Sequence, residues 1–153
     1  MNPFSVVILA AGQDSFYGTQ GDDIAIGTNA FTTFTGNGGD DIAFGLGNKD
    51  TINGSGGSDV LFGDGSCPPG TTNIAYCSTG ETAGDGNDTI NGGTGWDALF
   101  GQGGSDTIVG GADSDYIDGG RAHDDAATLP GGSLPSWPPH GHTIGAFAAP
   151  VGP

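Results

Sequence analysis

Positive charge is nearly missing from this chain: Lys49 and Arg121 are the only bases among 153 residues, against 18 acids, for a formal net charge of −16. No basic patch is available to neutralise phosphates, which excludes nucleic acid and anionic membrane surfaces as partners. Large apolar side chains are also scarce, since hydrophobic residues make up 34% of the chain, below the usual share for a globular protein. A broad core of bulky side chains is therefore excluded. No stretch approaches the length of a membrane span. The apolar run 6–11 is short and has no base before it, so it makes a poor signal peptide. Glutamate is reduced to Glu81; the other acids are all Asp. A merely solvating acidic chain would use Glu as well, whereas Asp alone points to turns and to short, rigid oxygen ligands. There are two cysteines, Cys67 and Cys77, close together in one segment. In an extracellular protein they would form a local disulfide.

Glycine is abundant, with 33 copies, but it lacks the three-residue period of collagen. The alternatives are disorder or a repeat whose turns need positive φ. The stretch 84–111, GDGNDTINGGTGWDALFGQGGSDTIVGG, decides for a repeat. Asp recurs every nine residues, two places before an apolar residue, in the pattern G-G-x-G-x-D-x-U-x. The sixth-position residues are Asp14, Asp23, Thr32, Asp41, Asp50 and Asp59, then Asp88, Asp97, Asp106, Asp115 and Asp124. The eighth-position residues are Phe16, Ala25, Phe34, Ala43, Ile52 and Leu61, then Ile90, Leu99, Ile108, Ile117 and Ala126, with Val7 in the same phase before them.

Over roughly residues 6–127 the chain thus resembles the RTX (repeats-in-toxin) calcium-binding nonapeptide family. The resemblance implies an all-β fold, a parallel β-roll (β-solenoid) of about twelve short strands in two sheets. Positions seven to nine form each strand, with the eighth side chain inward. Two nonapeptides make one coil, so environments repeat every eighteen residues. Several Ca²⁺ ions are implied between the turns of successive coils, held by turn carbonyls and by Asp14, Asp23, Asp41, Asp50, Asp59, Asp88, Asp97, Asp106, Asp115 and Asp124. Thr32 interrupts one edge, so the sites beside it are expected to be weak or empty. Affinities of roughly 10⁻⁴–10⁻³ M are expected, as for other extracellular modules.

Two domains follow: a β-roll over 1–127 and an extended Pro/Gly/Ala-rich tail over 128–153. The roll is interrupted by one insertion at about 65–84, tied at its base by Cys67–Cys77, after which the repeat resumes in phase.

The two outer faces are expected to differ. One carries Val6/Ile8, Ile24/Ile26, Ile42/Phe44, Val60/Phe62, Ala98/Phe100 and Tyr116/Asp118; the other is mostly Thr and Asn. An apolar face of that length should be covered, by the chain's own tail or by another copy of the chain. The coil ends, with no obvious charged cap, also leave axial stacking open. A homo-oligomer built through the apolar face or the coil ends is expected.

Catalytic chemistry is not evident. His123 lies in a repeat turn beside Asp124, and His140 and His142 form a lone His-x-His in the tail. No Ser, Cys or Glu sits in a recognisable nucleophile motif, and the glycine-rich turns carry Asp where a phosphate loop needs Lys. The expectation is a non-enzymatic, calcium-stabilised structural or assembly protein outside the cell or on its surface: a filament, a surface layer or a virion decoration. The alternative is an ice-binding or other ligand-binding β-solenoid, since Thr33 and Thr35 lie on one strand of the Thr face. A third expectation is a repeat module of a larger secreted protein.

Overall fold

The computed structural model describes residues 5–9, 14–65, 78, 85–120 and 125–127. Cys67, Cys77, Asp124, the three His and the tail 128–153 lie outside the described residues. So does most of the insertion.

Among the described residues, twelve strands alternate between two six-stranded parallel sheets. The first sheet runs β1 (Ser5–Ile8), β3 (Asp23–Ile26), β5 (Ile42–Phe44), β7 (Val60–Phe62), β9 (Ala98–Phe100) and β11 (Tyr116–Asp118). The second runs β2 (Ser15–Tyr17), β4 (Thr33–Thr35), β6 (Thr51–Gly56), β8 (Thr89–Thr94), β10 (Thr107–Ala112) and β12 (Asp125–Ala127). Every strand pairs with the strand two further along the chain, and equivalent repeat positions meet: Ile24 with Ile42, Phe34 with Ile52, Leu99 with Ile117. Across the insertion the alignment is unchanged, with Leu61 beside Leu99 and Ile52 beside Ile90. The period-two alternation of each short strand turns one side chain inward, so the sequence repeat becomes a stack.

The inward residues form one narrow core. Ala25, Phe34, Ala43, Ile52, Leu61, Ile90, Leu99, Ile108 and Ile117 are buried in a single cluster, with Phe16 half-buried against its end. These are the eighth positions of successive repeats. The core is one side chain wide in each sheet, and burial is worth roughly 1.5–3 kcal/mol per large side chain. Fixing the backbone costs roughly 1–2 kcal/mol for every residue. Apolar burial at one position in nine cannot offset that entropy unaided.

The outer face of the first sheet is less bare than the sequence suggests. Ile26 and Phe44, both outward positions, are buried in a second cluster with Leu46, and Ile42 and Phe62 pack against it. The rings of Phe44, Phe62 and Phe100 stack in sequence, with centroids 4.6 and 4.8 Å apart. Exposure is confined to the two ends of this face, at Val6, Ile8 and Tyr116. On the second sheet, Thr33, Thr51, Thr89 and Thr107 lie in one register column.

The turns explain the glycine content and its exceptions. From residue 37 onward most second and fourth repeat positions adopt positive φ, including the non-glycine residues Asn37, Leu46, Asn48, Ser55, Gln102 and Asp113, at 71–83°. For an L-residue this conformation costs about 1–2 kcal/mol, which Leu46 offsets by its burial in the outer cluster. At Gly57 two constraints coincide: its φ is 127°, and a Cβ would run into the carbonyl of Gly39 one coil away.

Candidate metal centre

The sixth residue of each repeat sits at a corner of the roll, where turn gives way to strand. On the first edge the backbone N–H of Asp23 donates to Oδ1 of Asp41 at 2.8 Å, Asp41 to Asp59 at 2.8 Å, Asp59 to Asp97 at 2.8 Å and Asp97 to Asp115 at 3.2 Å. On the second edge Thr32 donates to Asp50 at 2.6 Å, Asp50 to Asp88 at 2.7 Å and Asp88 to Asp106 at 2.8 Å. One oxygen of each accepting carboxylate is thereby committed to linking neighbouring coils.

The other oxygen is not. The Oδ2 atoms of Asp41, Asp50, Asp59, Asp64, Asp88, Asp97 and Asp115 are buried without a hydrogen-bond partner. None of these residues is more than 4% exposed. An isolated ionised carboxylate in such a place is unfavourable, and buried charges are paired or bind metals. Burial pushes the carboxyls up from 3.8, to about 6 at Asp41 and Asp97, about 7 at Asp50 and Asp59 and about 8 at Asp64 and Asp88. The backbone N–H bonds oppose this rise, while neighbouring carboxylates add to it. Asp115 is raised by burial in the same direction.

The space beside each orphaned oxygen is shaped by a glycine. A Cβ at Gly36 would strike both Oδ2 of Asp41 and the carbonyl oxygen of Gly54; one at Gly54 would strike Asp59 Oδ2 and the Gly92 carbonyl. Gly92 faces Asp97 and Gly110 in the same way, and Gly63 faces Asp88 and Gly101. A carboxylate oxygen and a carbonyl oxygen from the next coil thus converge at each of these first glycines of the repeat. Hard oxygen donors of this kind are the ligand set of Ca²⁺. The residues fit the ion, and Asp41/Asp59, Asp59/Asp97, Asp97/Asp115, Asp50/Asp88 and Asp88/Asp106 are the pairs that would hold it.

A family model described as the RTX calcium-binding nonapeptide repeat (4 copies) matches residues 8–30, 33–66, 82–108 and 92–126, more than half of the chain. The chain belongs to the RTX calcium-binding nonapeptide repeat family. RTX nonapeptide repeats bind Ca²⁺, and the repeat module itself is not catalytic. No curated protein and no solved structure is significantly similar to the chain. RTX repeat proteins are typically secreted, and among the described residues no helix is long and apolar enough to cross a membrane.

Within this RTX roll the expected ligands are not equivalent. Asp41, Asp50, Asp59, Asp88, Asp97, Asp106 and Asp115 are buried in the two columns. Asp23 is buried as well, but its Oδ2 accepts from the backbone N–H of Thr19 at 2.6 Å and from the Thr19 hydroxyl at 3.1 Å. Asp14 is exposed, and the corresponding residue one coil further is Thr32, not a carboxylate. Thr32 is buried where an Asp would stand and gives its hydroxyl to the Ala30 carbonyl at 3.2 Å. Asp124 falls outside the described residues.

One buried acid is absent from the repeat-derived set. Asp64 occupies a second repeat position, directly before the insertion, and is fully buried. Its signal in the sequence is an Asp at a position where Gly93 and Gly111 stand in later repeats. The phase of the repeat directs attention to sixth positions and passes it by.

Proposed function

We propose that the chain is a non-enzymatic, calcium-stabilised structural module that works outside the cell or on a surface, including that of a virion, and self-associates there. The observation that carries this reading is the pair of buried carboxylate columns running through the roll, with partnerless oxygens on consecutive coils. Calcium neutralises the columns, so the rod is rigid where calcium is plentiful and fails where it is scarce. Support for assembly comes from the apolar outer row of the first sheet, exposed at Val6, Ile8 and Tyr116, and from the terminal strands of each sheet, which among the described residues pair on one side only. Exposed strand edges are templates for pairing.

Light scattering at several protein concentrations, in millimolar calcium and in chelator, tests the assembly. Calcium-dependent growth in mass that is blocked by Phe44→Asp with Phe62→Asp or by capping the coil ends supports it. A monomer at every concentration overturns it. The in-register column Thr33, Thr51, Thr89 and Thr107 favours a second reading, a ligand-binding surface such as one for ice. Inhibition of ice recrystallisation, lost on replacing Thr51 and Thr89 with Lys, would decide for it.

A further inference from the structure

The second edge contains one place that the repeat does not generate. Asp50, Asp64 and Asp88 each offer a carboxylate oxygen, and these oxygens lie within 4.8 Å of one another. Asp50 and Asp88 are sixth-position residues of neighbouring coils, linked by the Asp50 N–H to Asp88 Oδ1 bond at 2.7 Å. Asp64 comes from the turn between them. Its Oδ1 accepts the Gly86 N–H at 2.9 Å, and its own N–H donates to Gln102 Oε1 at 3.0 Å. The backbone and one carboxylate oxygen of Asp64 are therefore held, and its Oδ2 is buried with no partner, as are those of Asp50 and Asp88.

We infer that Asp50, Asp64 and Asp88 form one three-carboxylate cation site, the tightest in the molecule, in which Asp64 adds the ligand that sets it apart from the two-carboxylate rungs. This inference rests on the calcium reading of the roll. Three oxygens within 4.8 Å of one another leave a shared ion no more than about 2.8 Å from each, so a small side-chain adjustment brings all three to the 2.3–2.6 Å typical of Ca²⁺. Calcium affinity is tuned by the number of charged ligands and by the rigidity of the site. The charged-ligand count is greater here than at Asp41/Asp59 or Asp97/Asp115, where no third carboxylate is brought within ligand distance among the described residues. Three negative charges also suit a trivalent ion. Asp64 and Gly86 flank the insertion, so the bound ion would clamp the two points at which that segment leaves and rejoins the roll.

The experiment is calorimetric titration of the chelator-stripped, full-length protein with Ca²⁺. Wild type is expected to show a first step about tenfold or more tighter than the remainder. Asp64→Asn keeps the Oδ1 acceptor for Gly86 and should lose that step while retaining the weaker ones; Asp41→Asn should do the reverse. Wild-type crystals soaked with one equivalent of Tb³⁺ answer the same question without a variant, through an anomalous peak within ligand distance of all three carboxylates. Steps of equal affinity, or a first Tb³⁺ on another rung, overturn the inference and leave the calcium reading intact. A chain that takes up no Ca²⁺ at any rung overturns both.

Discussion

The two edges of the roll carry the same repeat and differ in where its regularity breaks. The first edge is an unbroken column of acids from Asp23 to Asp115, joined coil to coil by N–H to carboxylate bonds. The second is interrupted by the neutral Thr32, after the exposed Asp14, and gains an additional acid, Asp64, beside the insertion. Thr32 satisfies its hydroxyl internally, so the top of the second edge needs no ion. The Asp23 carboxylate plays a similar part on the first edge through Thr19. Cation demand is thus concentrated in the middle coils and withdrawn from the first ones.

Removing calcium should erase the difference between the edges by unfolding both. At pH 8 in chelator, far-UV circular dichroism should lose most of its strand signal, because the buried Oδ2 atoms then repel one another with no counter-ion. Retention of the full signal would mean that the columns are neutralised in another way.

Acid should partly reverse that loss. In the unfolded chain these carboxyls titrate near 3.9; in the metal-free roll burial raises them, to between about 6 at Asp41 and about 8 at Asp88. Over this window the folded state holds more protons than the unfolded one, so metal-free stability is full below about pH 4 and is lost as pH rises through 6–8. Chelated protein brought from pH 8 to pH 5 should regain strand signal. Calcium-loaded protein should respond in the opposite sense, since protons compete with the ion for the same oxygens.

Single changes sharpen the contrast. Asp59→Ala cuts the first edge at its centre, removing the acceptor for the buried Asp41 N–H and a ligand from two rungs. The lost bond alone costs about 1–3 kcal/mol, and each lost ion costs about 2–3 kcal/mol more when calcium is a hundredfold above its dissociation constant. Thermal melts in saturating calcium should show a large drop. Thr32→Asp repairs the break in the second edge and should act more gently. It should add one ion and about 2–3 kcal/mol in excess calcium, yet lower the melting temperature in chelator. A variant that melts higher in both conditions would show that the added carboxylate finds no cation.

The period of eighteen residues made the strand positions, the two sheets, the resumption after the insertion and the two columns of sixth-position carboxylates legible, because each depends on identical positions meeting. Two features were not legible. Ile26 and Phe44 belong to strand positions that point away from the core, and their burial depends on Leu46, a turn residue held at positive φ. Asp64 lies outside the sixth-position columns, and it meets Asp50 and Asp88 only where the chain departs from the pattern and brings residues 64 and 86 together. Both arise at a second repeat position, where the residue type varies from coil to coil and the period fixes nothing.

The separation between paired residues grows from 18 to 38 where the insertion intervenes, and the ladder bonds keep their length, 2.8 Å from Asp41 to Asp59 and 2.8 Å from Asp59 to Asp97. The rod therefore reads its own architecture locally, at strand and corner, and is indifferent to how much chain lies between one corner and the next. Closing a longer excursion costs only about 0.6 kcal/mol for each doubling of its length. That turn is a natural port for grafting: a peptide or a small folded unit placed between residues 65 and 85 would be displayed at a fixed height on a rigid shaft, and a lineage could exchange such cargo without redesigning the shaft.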